Sequence, residues 1–388
     1  MDEPAIAIIG AGIGGLTLAA CLLQMHLPVT VFEQATEFRR VGTGIQLAPN
    51  AMKVLSPLGL RPRLEGLAFC PATMANREWD SGELTFELPL GERAELDYGA
   101  PYFLLHRGDL HQALLDRVPK DVIRLRSRLV GIEGRGERIG LRFADGSHAE
   151  ADVVVGADGV HSVVRDQIHV ASASFTGRVA YRAVFDRELV RGPAPGPSTK
   201  WWGPDRHIVI YYVSAGREVY FTTSVPDEAW TVESWSARGS TTELRDAFAG
   251  FHEEVTGVLE ACPSVHKWAI YDRDALPRWH TGNVVLLGDA CHPMTPYMAQ
   301  GGATAMEDAV VLARCMAAAG SGDLSAAFSR YETCRKPRTS AIQSGSRSNT
   351  WLREPTDPGW VYDYDAWRVP LEAPPLPLGR PQAGSSGG

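Results

Sequence analysis

Apolar and polar positions along the chain follow two periods, and each period predicts a different kind of element. Ala5 to Ile9 is a short apolar run, AIAII, followed by GAGIGG, by LTLAACLLQ with apolar residues at helical spacing, and by PVTVFE. That order predicts strand, glycine turn, helix and strand, one βαβ unit. DVVVGADGVHSVVR (Asp152 to Arg165) predicts a buried strand running into a turn at Asp158 and Gly159, and NVVLLGDACHPM predicts another ending at Gly288 and Asp289. LLHRGDLHQALLDRV (Leu104 to Val118) predicts an amphipathic helix carrying Leu110, Leu114, Leu115 and Val118, with Asp109 as its N-cap. Arg39 to Ala51 predicts a glycine-containing turn, then a loop entering a helix at Pro49 and Asn50.

The middle of the chain changes character. RVAYRAVFD, TKWW, RHIVIYYV and REVYFTTSV, between residues 178 and 224, are rich in aromatic and β-branched residues and separated by turn formers, so they predict antiparallel strands. Leu244, Phe248, Phe251, Val255 and Leu259, spaced by four, three, four and four, predict one apolar helical stripe covering that sheet. GGATAMEDAVVLARCM predicts a helix with a small apolar face. The expected organisation is a cofactor domain from 1–175 together with 278–350, an inserted substrate domain from 176–277, an extension from 351–370 and a disordered Pro/Gly/Ser tail from 371–388. No internal repeat appears.

Composition narrows the function. With 388 residues, 44% of them apolar, the chain has material for two cores. A net charge of −8 without a run of basic residues argues against nucleic acid and against an electrostatic membrane anchor, and no apolar run is long enough to span a bilayer. The N-terminus has no basic leader, so a cytoplasmic protein is expected, monomeric or homodimeric, acting on a small molecule. Six scattered cysteines without a CxxC pair predict neither a zinc framework nor a disulfide scaffold, and no metal is expected.

Gly10, Gly12 and Gly15 match GxGxxG in its proper setting between strand and helix. The glycines allow the tight turn, the approach of backbone to a pyrophosphate and close helix–strand packing, and the helix N-terminus faces the phosphates. Glu33 ends the second strand 18 residues after Gly15, where a carboxylate accepts hydrogen bonds from an adenosine ribose. A dinucleotide is expected, and the unit alone does not choose between NAD and FAD.

GxGxxG with Glu33, the helix begun by Arg107, GADGVHSVVR, and GDACHPM followed by QGG and AMEDA together resemble the ordered motifs of the FAD-dependent aromatic hydroxylases of the p-hydroxybenzoate and salicylate hydroxylase superfamily. TKWWGPDRHIVIYY and DPGWVYDYD resemble the 6-hydroxynicotinate 3-monooxygenases within it. The resemblance implies an α/β fold, α+β overall, with a Rossmann-like FAD-binding domain and an inserted antiparallel-sheet substrate domain. It implies FAD as cofactor, NADH or NADPH as transient reductant and O2 as co-substrate. Arg40 and Arg107 would lie along the FAD, Asp158 and Gly159 beside both cofactors, and Asp289 on the ribityl chain. Pro296 would flank the flavin ring, with Gln300, Gly301 and Gly302 offering backbone N–H groups to its electron-rich edge. Where the commoner pattern is GQG, this chain has Ala299 before Gln300, at the expense of one methyl group.

The activity so implied is hydride transfer to FAD, formation of a flavin hydroperoxide with O2 and hydroxylation of an electron-rich ring, with or without loss of a carboxyl group. The protein must exclude water and help a ring hydroxyl lose its proton. By strand alternation His207, Val209 and Tyr211 share one face, and in the family the matching His and Tyr meet the substrate, so His207 and Tyr211 are the catalytic candidates. Gln46, Ser198, Val209 and Tyr297 are the substrate candidates. Gln46 and Tyr297 stand where the 6-hydroxynicotinate enzymes carry His, and Ser198 near a Cys, which points to a related substrate, a hydroxylated aromatic acid or nitrogen heterocycle. Trp201 and Trp202 read as packing. Rival readings are an FAD reductase that does not use O2 and a non-catalytic FAD-binding module. An NAD-only dehydrogenase would explain the first βαβ unit alone. Cys291 and His292, adjacent on a segment expected to be extended, should point to opposite faces and form no activated thiol pair.

Overall fold

In the computed structural model, the described residues are 5–40, 43–134, 138–169, 173–193, 196–232, 237–320 and 322–372. The expected tail falls outside them from residue 373 on. Ile6–Ile9 pairs in parallel with Val29–Phe32 on one side and Val153–Gly156 on the other, and Val284–Leu286 extends the sheet beyond the latter. Strand Ile6–Ile9 is buried along its whole length, as a parallel strand covered on both faces must be. Helix Ile13–Gln24 crosses between the first two strands, and helix Gly301–Ala319 packs against it within one core cluster. Helix Leu324–Ser348 packs on helix Gly301–Ala319 with Phe328, Tyr331 and Arg335 buried, and leads into the extension.

A second sheet of eight strands carries the middle region. Ser174–Asp186, Glu218–Pro226, His207–Val213 and Ser198–Trp202 pair antiparallel in that order, as expected. Two of its strands come from elsewhere: Thr73–Glu78 adds in parallel beside Ser198–Trp202, and Leu84–Pro89 pairs with it. Residues 73–89, expected with the first sheet, therefore belong by strand pairing to this eight-stranded sheet.

Side-chain alternation divides that sheet into two faces. Trp201, Ile208, Ile210, Tyr212 and Phe221 point to one, where Leu244, Phe248, Phe251, Val255 and Leu259 cover them. The covering element is two helices, Thr241–Ala247 and Glu253–Ala261, not the single helix expected. Gly250 at φ 83 breaks the run, and His252 caps the second helix by accepting from Glu254 N. The stripe survives because both helices present it to the same sheet. The opposite face carries Ser198, Lys200 and Trp202 in register with Tyr211, Val209 and His207, which pair in turn with Tyr220, Thr222 and Ser224. This face looks toward the cofactor domain.

Candidate active site

The glycine turn is built as its spacing requires. Gly10 has φ 105, and a methyl group there would lie 2.5 Å from the Ala157 carbonyl oxygen; at Gly15 it would lie 2.0 Å from that of Gly10. The first glycine thus brings the turn against the GADG segment, and the third brings helix against turn. At Gly12 a methyl would meet nothing within 4 Å, and this residue is the N-cap of helix Ile13–Gln24, which no side chain caps. Open space over uncapped N–H groups is what an incoming diphosphate needs.

Glu33 spends its carboxylate first on the turn itself, its two oxygens accepting from Ala11 N and Ala35 N at 2.8 Å each. Each oxygen keeps lone-pair capacity for a ribose hydroxyl. His111, which sequence reasoning missed, braces the same turn through Nε2 and the Ala11 carbonyl at 2.8 Å. Asp158 is turned onto its own loop, accepting from Ser162 Oγ, Val163 N and Val164 N. That is a turn-stabilising carboxylate rather than one aimed at a cofactor, and Gly159 follows it at φ 74.

Arg107 opens helix Arg107–Leu115, whose N-cap is His106, accepting from Gly108 N, and not Asp109. Asp109 instead receives Arg40 at 2.9 Å. Arg40 also donates to Ser214 and Glu218 at 2.8 Å each, so it ties the cofactor domain to the second sheet, a strut where a cofactor contact was expected. Arg107 and Asp289 are different. Both are solvent-exposed, although their chain neighbours His106, Gly288 and Ala290 are buried. Each feels the other's charge, and surrounding protein pushes the Asp289 carboxyl up from its ordinary value. Two opposite charges on the walls of one cleft fit a cofactor with a diphosphate and a polyol chain.

Beyond Asp289 the chain makes a 3-10 turn, Gly288–Ala290, and Cys291 N and His292 N both donate to Gly288 O at 2.9 Å. The segment is not extended, so the expectation that Cys291 and His292 diverge is wrong: their sulfur and ring nitrogen lie within 4.8 Å of each other and of an Asp308 oxygen. Still no activated thiol results. Burial raises the Cys291 thiol well above its ordinary pKa, and the His292 ring is held by Asp308. Asp308 also accepts from Gly288 N at 3.2 Å and from Arg335 Nε at 2.7 Å. Next to it Glu307 binds Arg335, Arg338 and Asn50 Nδ2, and Asn50 Nδ2 also donates to Gln300 Oε1 at 2.9 Å. This buried network locks the GDACH turn to the start of helix Gly301–Ala319. Gln300 is buried, with its side-chain oxygen turned inward onto Asn50. Gly301 and Gly302 begin the helix with no side-chain cap, leaving first-turn N–H groups for a negative charge. Ala299 before them sits at φ 54, ψ 30, so what the missing glycine costs is left-handed backbone strain.

Pro296 is exposed at the cleft, and Tyr297 reaches across to the second sheet. Its hydroxyl lies 3.0 Å from Ser224 Oγ, and its ring meets that of His207 at 5.6 Å. At the other end of the sheet face, Gln46 Oε1 accepts from Tyr102 at 2.6 Å and its amide faces the Tyr211 phenol. Gly44 lets that phenol approach the backbone, since a methyl there would lie 2.6 Å from Tyr211 Oη. Between these ends Val209 and Thr222 pair side by side and are only partly buried, whereas His207, Tyr211, Tyr220 and Ser224 around them are buried. The face therefore has an open floor with a polar and aromatic rim. Burial, with Lys200, Arg178 and Arg353 nearby, lowers the His207 pKa well below its ordinary value, and burial raises that of Tyr211. At neutral pH the imidazole is uncharged and the phenol protonated.

The family described as FAD binding domain matches residues 3–346. The 6-hydroxynicotinate 3-monooxygenase of Pseudomonas fluorescens is 42% identical over 96% of this chain and 98% of its own length. The 3-amino-4-hydroxybenzoate 2-monooxygenase of Streptomyces platensis is 40% identical over 89% of this chain and 87% of its own. Among solved structures, HpxO of Klebsiella pneumoniae complexed with FAD and uric acid superposes with a TM-score of 0.80 at 29% identity, covering 92% of this chain and 90% of that one. A glycine turn and opposed charges suited to FAD, together with a sheet face carrying His207, Tyr211 and Tyr220, agree with these likenesses: the chain belongs to the FAD-dependent aromatic hydroxylases.

Proposed function

We propose that this enzyme hydroxylates a small hydroxylated aromatic acid or hydroxypyridine other than 6-hydroxynicotinate, on the floor formed by Val209 and Thr222. Bound FAD, reduced by NADH or NADPH, supplies the oxygen-transfer chemistry. Gly10, Gly12, Gly15 and Glu33 would hold its adenosine and diphosphate end, with Arg107 on the phosphates, Asp289 on the ribityl chain and Gly301 and Gly302 under the ring. The protein's own task is to take charge of one proton and to keep water away. A neutral His207 imidazole accepts the proton of a ring hydroxyl, raising the electron density of the carbon to be attacked. Tyr211 stays protonated, so it orients the substrate as a donor. Tyr297 closes the His207 end, and Gln46 and Ser198 the Tyr211 end.

The observation that carries this reading is that the buried His207 and Tyr211 flank the partly buried Val209 and Thr222 on one sheet face, where burial favours the neutral imidazole and the protonated phenol. Gln46 and Tyr297 carry no positive charge at neutral pH, which supports a substrate different from that of the 6-hydroxynicotinate enzymes. The test is a screen of phenolic and hydroxypyridine carboxylates for stimulated NADH oxidation, with products identified by mass, followed by H207A and Y211F. Both variants should keep FAD and lose about 100-fold or more in hydroxylation. Full turnover in either removes that residue from the chemistry.

A further inference from the structure

The open floor is flanked on one side by a residue that no motif pointed to. Lys200 pairs with Val209 across the sheet, so its side chain rises from the same face, directly beside the floor. It is 8% exposed, and its ammonium sits 3.8 Å from the centroid of the Trp202 ring. The Arg353 guanidinium, brought by the C-terminal extension, lies 5.2 Å from that same ring. Among the described residues Lys200 Nζ has neither a carboxylate partner nor a hydrogen bond. The charges bearing on this corner are those of Arg353, Arg178 and His207; the register also sets Arg182 beside Thr222 and Glu78 beside Trp202 on this face, and no ion pair joins Glu78 to Lys200 among the described residues.

In a chain with net charge −8, Lys200 is a buried cation without a counter-ion, and the exposed Arg353 and half-buried Arg178 add positive charge around it, a feature that packing does not explain. A buried ammonium is normally paired, because leaving water uncompensated is costly. Trp202 offsets part of that cost through its ring face, and is itself fixed by Nε1 donating to Asn76 Oδ1 at 2.8 Å. Two neutral groups of the same face are also buried and unsatisfied: Ser198 Oγ, one alternation from Lys200, and Asn76 Nδ2, on the residue that pairs with it from strand Thr73–Glu78. An ammonium, a hydroxyl and an amide N–H, all without acceptors and all beside one open floor, ask for one ligand group that only accepts. A carboxylate is such a group.

We propose that Lys200, assisted by Ser198, is the substrate-carboxylate receptor of this enzyme and so selects aromatic acids over neutral phenols and pyridones. This rests on the reading of the Val209 and Thr222 floor as the substrate site. It orients the ring with its carboxylate toward Lys200 and leaves the His207 and Tyr211 ends for ring hydroxyls. Burial, then Arg353, pushes the Lys200 ammonium down to about 7, so without ligand it loses its charge in the neutral range, and an incoming carboxylate restores it.

The experiment uses the FAD-loaded enzyme and reads flavin absorbance perturbation on titration with 4-hydroxybenzoate and 6-hydroxynicotinate, and with their amides. In the wild type the acids should bind about tenfold or more tighter than the amides. K200M should abolish that preference, weakening the acids about tenfold or more while changing the amides by less than about twofold, with FAD content unchanged. K200R should restore much of it. Acid binding to the wild type should weaken from about pH 6 to about pH 9, and K200R should be flat over that range, since arginine stays charged. Unchanged acid affinity in K200M, or a wild type that binds amides as well as acids, overturns the assignment of Lys200 and leaves the floor as the substrate site. If no compound of either kind perturbs the flavin, the reading of the floor falls with it.

Discussion

Arg335→Met should be among the most damaging substitutions outside the cleft, and its effect can be worked from the contacts. Arg335 is fully buried, with Nε 2.7 Å from Asp308 and Nη2 2.7 Å from Glu307, both also fully buried. Methionine fills much of the volume but leaves two carboxylates short of a cation, which costs about 3–5 kcal/mol. Arg338 at 2.8 Å from Glu307, and His292 beside Asp308, keep the loss within that range rather than above it. The sign with pH follows from the lowered pKa values of Glu307 and Asp308 in the folded enzyme. Their stabilising contribution is complete above their unfolded pKa values and lost as pH falls through the lower folded ones. Without Arg335 both carboxyls titrate higher, so protonation relieves the variant first and its deficit shrinks as pH falls. Urea unfolding at about pH 7.5 and about pH 5.5 measures the deficit, and flavin absorbance measures FAD retention. FAD should also be lost more readily, because Asp308 holds Gly288 N and Glu307 reaches Gln300 through Asn50. A deficit under about 1 kcal/mol at about pH 7.5 refutes the claim that this network is charged and supports the cofactor loop.

Other substitutions separate packing from ligand contact. Gly12→Ala should fold normally, since a methyl there meets nothing within 4 Å, yet bind FAD more weakly; Gly15→Ala, 2.0 Å from a backbone oxygen, should lower folded yield as well, and equal behaviour of the two in thermal melts and FAD titration would count against the assigned roles. Ala299→Gly removes left-handed strain at φ 54 and should stabilise by about 0.5–1 kcal/mol after glycine's own entropy cost, raising the melting temperature; a decrease would mean the methyl packs usefully. Gln46→His with Tyr297→His, introduced together, should increase turnover of 6-hydroxynicotinate relative to the native substrate, as measured by kcat/KM for each.

What could be read from the sequence was what is decided locally. The glycine turn, the acid at Glu33 and the buried strand before Gly288 are each set by a few adjacent residues; the first two stand where the pattern puts them, and the strand, Val284–Leu286, stops two residues short of the expected end. The two-faced strand His207–Val213 was equally legible, because alternation alone puts His207, Val209 and Tyr211 together. What failed depended on partners far along the chain. Nothing near residues 73–89 says that they pair beside Ser198–Trp202, more than a hundred residues later, and that pairing is what brings Asn76 against Trp202 and beside Lys200. Arg40 looked like a phosphate ligand because its carboxylate partners, Asp109 and Glu218, are distant in sequence. Cys291 and His292 were misjudged for a shorter-range reason: Gly288 at φ 61 starts a turn where an extended segment was assumed.

Lys200 is the instructive case, because the signal for it was present. TKWW places Lys200 on the parity of Ser198 and Trp202, opposite Trp201, and Trp201 is fully buried among the covering helices. Once one of two adjacent tryptophans is assigned to the helix-covered face, alternation sends Lys200 and Trp202 to the other, the face that bears His207 and Tyr211. A lysine is ordinarily read as solvated, and that habit hid it. The cost of burying a cation without an acid converts its position into a statement about ligand charge, which residue type alone could not give. The polarity of this pocket is then divided between two tasks on one sheet: a cation beside Val209 to hold the substrate, and an uncharged imidazole one alternation away to take its proton. Burial first, and then the same positive field that favours an anionic substrate, keep His207 deprotonated, so recognition and proton acceptance share one arrangement of charge.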